Sequence, residues 1–166
     1  MKHIINTDKK PFCPNGWEVV EHRKAGKLEW NPEKVRLHSE PEQEKGYLNG
    51  NTLRERLKDK PVLNANVLDY LLKHTELIPE DWKDKYVYFW GTIYRDSGGH
   101  LSVRCLGWSG DRWGWSFNWL GHDWYGGHPA AVSAGVEKEV VLDSLTLSFG
   151  GKRYKAVGKI KLEELK

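Results

Sequence analysis

Between residues 85 and 119 the chain alternates apolar and polar side chains with a period of two in three successive runs, the pattern of strands with one buried face. The middle run is the clearest. Leu101, Val103, Cys105 and Gly107 fall on one side, and His100, Ser102 and Arg104 on the other. Residues 112–119 set Trp113, Trp115, Phe117 and Trp119 against Arg112, Gly114, Ser116 and Asn118. Residues 85–94 set Val87, Phe89, Gly91 and Ile93 against Tyr86, Tyr88, Trp90, Thr92 and Tyr94. Ser97-Gly98-Gly99 and Ser109-Gly110-Asp111 are both turn chemistry and both read as three-residue loops, a length that pairs odd positions with odd. That register buries the odd rows together. It turns Tyr88, Trp90, Arg104, Trp108, Arg112 and Asn118 to the opposite side.

Elsewhere the pattern changes period. Leu53 and Leu57 lie one turn apart after Asn51-Thr52, and Pro61 ends that helix. Val67, Leu68, Leu71 and Leu72 follow Asn64 as a helical stripe whose natural role is to cover a sheet. Pro79 with Glu80 and Asp81 opens a further turn. Trp17–Val20 and Val35–His38 are short strand-like runs, and 39–45 is a solvated loop. Leu145, Leu147 and Phe149 alternate before Gly150-Gly151, and Tyr154 and Ala156 after it. A two-residue turn there pairs Leu147 with Tyr154 and Phe149 with Lys152. The chain is therefore expected to be α+β, a tryptophan-rich antiparallel meander plus a C-terminal β-hairpin, covered by two or three short helices. Residues 1–16 are expected as a flexible arm, and 17–166 as one domain with the meander at 85–119 and the hairpin at 140–162.

Composition adds boundaries. At 166 residues, with 39% hydrophobic and 30% charged positions, the chain can build a core without staples. It shows no signal-peptide core and no apolar run near the roughly 20 residues of a membrane span, which predicts a cytoplasmic protein with no membrane contact. Cys13 and Cys105 have no metal-like spacing and read as free thiols, Cys105 in the core and Cys13 in a loop. The net charge is +3, yet Lys152, Arg153, Lys155, Lys159, Lys161 and Lys166 against Glu163 and Glu164 leave the C-terminal piece at +4 and the rest near neutral. A basic hairpin offers a route to nucleic acid, although lysines on a strand edge also serve to block aggregation.

Candidate chemistry centres on tryptophan. Of nine, Trp90, Trp108, Trp113, Trp115, Trp119 and Trp124 lie between residues 90 and 124. The row of Tyr88, Trp90 and Trp108 with Arg104, Arg112 and Asn118 combines stacking surface with hydrogen-bond donors. With Asp123 and Trp124 from the adjoining 121–128 loop it predicts a binding face for a saccharide, nucleotide or peptide. A second reading is a small hydrolase-like enzyme drawing on His122, Asp123 and His128, with Arg104 and Asp111 nearby. A third is a structural or protein-interaction domain. No phosphate loop, nucleophile elbow or zinc-protease motif is present, the three loop residues match no metal-ligand signature, and no cofactor is implied.

The phrases PVLNANVLDYLLKHTELIPEDWK (61–83), YFWGTIYRDSGG (88–99), VRCLGWSGDRWGWSFNWLG (103–121) and HPAAV (128–132) resemble those of a family of small bacterial proteins. The resemblance spans about residues 11–135 and implies no activity, so no catalytic residue carries over. Trp119-Leu120-Gly121 with Trp124 also resembles the C-terminal part of lectin-like domains, but the paired cysteines and calcium motif of those lectins are missing.

Overall fold

The computed structural model describes residues 1–134, 146–149 and 151–155. The elements in chain order are β1 (Ile4–Asn6), β2 (Glu18–His22), β3 (Lys27–Glu29), β4 (Val35–His38), α1 (Pro41–Lys45), β5 (Leu48–Asn49), α2 (Gly50–Leu57) and α3 (Ala65–Lys73). After two 3-10 turns come β6 (Val87–Tyr88), β7 (Thr92–Arg95), β8 (Leu101–Trp108), β9 (Trp113–Trp119), β10 (Asp123–Trp124), β11 (Ala130–Ser133), β12 (Thr146–Phe149) and β13 (Lys152–Lys155). The protein is α+β. Where the sequence suggested one domain over 17–166, the chain divides into two compact units, Met1–Ala134 and Gly135–Lys166. In the second, β12 and β13 pair Leu147 with Tyr154 and Phe149 with Lys152, as the two-glycine turn required. The rest of the expected 140–162 hairpin lies outside the described residues. Among the described residues no helix is long and apolar enough to cross a membrane.

The first unit is built on a seven-stranded sheet, ordered β2-β7-β8-β6-β11-β4 with β9 along the other side of β8. All pairings are antiparallel except β6 with β11. The first expected turn holds. Asp96 N–H donates to the His100 carbonyl across Ser97-Gly98-Gly99, and Tyr94 pairs with Ser102.

The second turn does not hold. Ser109 N–H donates to the Arg112 carbonyl at 2.9 Å, so only Gly110 and Asp111 form the loop, with Gly110 at φ +69°. Two-residue hairpins favour glycine in just that position. The shortened loop pairs Leu106 with Trp115 and Arg104 with Phe117, odd with even. A one-residue change in register moves every side chain to the other face. The Trp113–Trp119 row therefore shares a face with Arg104 and not with the Val103–Cys105 row.

A second break splits the first run of the meander. Between Phe89, whose N–H reaches the Arg104 carbonyl, and Tyr94 opposite Ser102, four residues of one strand face Val103 alone. The excess is absorbed at Phe89-Trp90-Gly91, where Thr92 N–H turns back to the Phe89 carbonyl. A bulge of this kind reverses the alternation. Val87 and Phe89 now face α3, and Tyr88 and Trp90 face α2. Gly91 is required there: a Cβ would lie 2.7 Å from Asn64 Cβ and 2.8 Å from its Cα, while Gly91 N–H bonds to the Leu63 carbonyl.

Two cores result, one on each side of the sheet. Val67, Leu68 and Leu71 of α3 pack on Val87, Phe89, Leu106 and Ala131. Leu53 and Leu57 of α2 pack on Tyr88, Trp90, Val103, Cys105 and Trp124. Asn64 caps α3 by accepting from Asn66 N–H, and Asn49 caps α2 by accepting from Asn51 N–H. Residues 1–16, expected as a loose arm, are built into the first unit instead: β1 pairs with β3, Ile5 lies in the α3 core and Thr7 is buried.

Burial pushes the Cys105 thiol up to about 11. Because the thiolate is the reactive form, Cys105 is expected to resist iodoacetamide at pH 8 in the folded protein while the half-buried Cys13 reacts, as intact-mass spectrometry would show. Gly91→Ala is expected to destabilise by about 2–4 kcal/mol, since backbone as well as side chain must give way. Urea denaturation checks this, and a loss under about 0.5 kcal/mol would contradict the close packing.

Candidate functional site

The sequence-predicted residues do not share one face. Tyr88, Trp90 and Trp124 are sealed beneath α2, with ring centroids 4.4 Å (Tyr88–Trp124) and 4.8 Å (Trp90–Trp124) apart. Trp108 is half-buried between Trp113, 5.3 Å away, and Lys83, whose Nζ stands 4.1 Å over its ring. Arg112 is exposed at the hairpin turn beside Asp111. Asn118 Oδ1 accepts from Trp119 N–H and meets His122 Nδ1 at 3.2 Å. Asp123 is exposed in β10, opposite Asn49. The cause is the pair of register changes, which left Arg104 and Trp108 on the α3 side and put Tyr88, Trp90 and Asn118 on the other.

Arg104 is the exception, and it organises a different surface. It is 1% exposed, yet its guanidinium donates to both carboxylate oxygens of Asp69 on α3, at 3.1 and 2.8 Å. It lies 4.3 Å over the Trp115 ring and 5.0 Å from that of Phe12. Burial works against its charge, but the Asp69 carboxylate and the Tyr94 hydroxyl more than offset it and hold the pKa above the ordinary arginine value. Tyr94 donates to the Phe12 carbonyl at 2.8 Å, and Trp17 meets Phe117 edge-on at 5.0 Å. The outer rim of this cluster stays open: Phe12 is 52% exposed, and Trp115 and Phe117 are 39% each.

That rim continues along β9, which pairs only with β8 among the described residues. The even-numbered residues of β9 turn their backbone groups toward β8, as the Ser109–Arg112 and Leu120–Leu101 bonds at either end establish. The N–H and C=O groups of Trp113, Trp115 and Phe117 therefore point away from β8, and none has a hydrogen-bond partner among the described residues. The seven residues of β9 carry no charge and no proline. Edge strands are ordinarily guarded by one or the other.

A smaller aromatic site sits at the end of β9. Trp119 lies between His100, stacked at 4.3 Å and 19°, and His122 at 4.8 Å. Asp96 holds this group, accepting from Trp119 Nε1–H at 2.8 Å and from the N–H groups of Gly98 and His100 at 2.9 Å each. His122, Asp123 and His128 have no hydrogen bond in common. His122 turns to Asn118, and His128 packs among Tyr86, Tyr88, Trp124 and Tyr125, where burial lowers its pKa. Asp111 stands apart at the hairpin turn and Arg104 is committed to Asp69, so the five groups of the enzyme reading do not converge.

Sequence reading missed Asp69, Phe12, Trp17 and Tyr94 as members of one cluster. The available signal was one charge of each sign, Arg104 on the polar row of its strand and Asp69 beside the apolar stripe of its helix. No protein family, no curated protein and no solved structure matches the chain.

Partial burial tends to raise the Asp96 pKa, but the His100 N–H, the Trp119 indole and the Gly98 N–H outweigh it and leave it lowered. A carboxylate depressed in the folded state stabilises above its unfolded pKa, and that contribution is lost as pH falls through the folded one. The melting-temperature gap between wild type and Asp96→Asn is therefore expected to be constant above about pH 5 and to narrow as pH falls below about 4. A gap independent of pH over that window would contradict the arrangement.

Proposed function

We propose that this chain is a binding module that takes an extended segment of a partner polypeptide onto the outer edge of β9. The single observation behind this reading is the uncharged edge at Trp113, Trp115 and Phe117, whose outward backbone groups have no partner among the described residues. Strand addition uses such backbone groups for affinity and alternate side chains for specificity. On the Arg104 side, Trp115 and Phe117 would meet every second side chain of the incoming strand. Aromatic and β-branched residues suit those positions, because cross-strand pairs with aromatic rings are the favourable ones. The Arg104–Asp69 pair supports the Trp115 ring from below and Trp17 meets the Phe117 ring edge-on, so both are presented without losing much side-chain freedom on binding. The reading retains an aromatic and arginine surface, with β9 in place of the β6 aromatics.

Proline separates backbone from side-chain recognition here. At position 117 it removes only an outward N–H and leaves the β8 ladder intact. Peptides selected from a displayed random library are expected to bind with micromolar affinity, and Phe117→Ala to weaken them. Phe117→Pro is expected to weaken them about tenfold further, the value of one lost backbone bond with its geometry. Equal affinities for the two variants by fluorescence titration, both still folded by circular dichroism, would remove strand addition from the account.

A further inference from the structure

A cleft of about 500 Å³ lies between the 9–12 segment and one face of α3. That volume is in the range that takes small organic ligands. Asn66, Asp69, Tyr70 and Lys73 recur on α3 at the spacing of a single helix face, and Lys9, Lys10 and Phe12 close the other side. The segment is fastened in place: Asn66 Nδ2 donates to the carbonyls of Asn6, Thr7 and Lys9, the last at 2.7 Å.

The charges of this cleft are unbalanced. Asp69 stands four residues before Lys73, the spacing at which an acidic and a basic residue on a helix normally pair. It turns both oxygens to Arg104 instead, and Lys73 makes no ion pair among the described residues. Lys9 and Lys10 make none either, and all three lysines are exposed. The one lining carboxylate among the described residues is thus already neutralised, while three cations from two separate segments surround the opening. Like charges gathered at one opening attract an anion to it. Lysines act as mobile point charges toward phosphate. Phe12, half exposed at the rim, adds a flat apolar wall.

We propose that this cleft binds a small organic phosphate carrying a planar ring, with the phosphates on Lys9, Lys10 and Lys73 and the ring against Phe12. The assignment stands independently of peptide binding on β9. The test is isothermal titration of the full chain at about 50 mM salt with ADP, pyrophosphate and adenosine as separate probes. ADP is expected to bind at least about fivefold more tightly than pyrophosphate, and adenosine alone more than about tenfold more weakly than ADP. Raising salt to about 200 mM is expected to weaken ADP several-fold, because exposed charges are screened. The Lys9→Ala/Lys10→Ala/Lys73→Ala variant is expected to lose ADP by about a hundredfold with an unchanged melting temperature. It should still bind the β9 peptides. No binding of ADP or pyrophosphate below about 10 mM would overturn the site, as would equal binding by the triple variant. Equal affinity for ADP and pyrophosphate would overturn the role of the ring. Replacing Lys73 alone with Arg, which keeps the charge, is expected to retain binding within about threefold, and a larger loss would count against a point-charge contact.

Discussion

A guanidinium with 1% of its surface exposed demands an answer, and the answer given to Arg104 shapes the surface around it. Leaving one charge of such a pair buried alone costs several kcal/mol, so Asp69 is bound to face Arg104 and nowhere else. That commitment ties α3 to β8. It also spends the carboxylate that would otherwise neutralise Lys73, which is why the neighbouring cleft keeps its positive charge. On the other side the guanidinium gives Trp115 and Phe12 a cation to lie against, so rings at an exposed edge have a fixed floor.

The two candidate surfaces are thus neighbours through one residue pair. The β9 edge offers backbone groups and aromatic rings, and the α3 cleft offers lysines. Phe12 belongs to both, held by Tyr94 through its carbonyl and by Arg104 through its ring. The N-terminal segment is accordingly part of both proposed surfaces, a place its polar sequence did not advertise.

How much of this was legible depends on where parity is decided. The helices were readable because Asn64 and the Val67–Leu71 stripe agree with each other, a cap and a face at one period. The 97–99 turn and the C-terminal register of Leu147 with Tyr154 were readable from glycine placement alone. The 109–112 turn was not. Ser109, Gly110 and Asp111 all favour turns, and nothing local says whether Ser109 belongs to the loop or to the closing pair. Nor was the break at Phe89-Trp90-Gly91 visible, since apolar and aromatic residues run through it without interruption. Its setting is tertiary: Gly91 N–H bonds to the Leu63 carbonyl, and Asn64 lies too close for any Cβ there. Each miss shifted parity once; together they scattered the predicted face, and the shorter 109–112 turn brought Trp115 and Phe117 to Arg104.

The dependence of the surface on Arg104 and Asp69 is best measured by a double-mutant cycle. Arg104→Met, Asp69→Asn and the combined variant would be compared with wild type in urea denaturation. With Asp69 partly open to water, the account predicts a coupling of about 2–3 kcal/mol, each single change nearly as damaging as both. It also predicts a red shift of tryptophan emission as Trp115 loses its floor. Additive losses, with coupling below about 0.5 kcal/mol and emission unchanged, would contradict it.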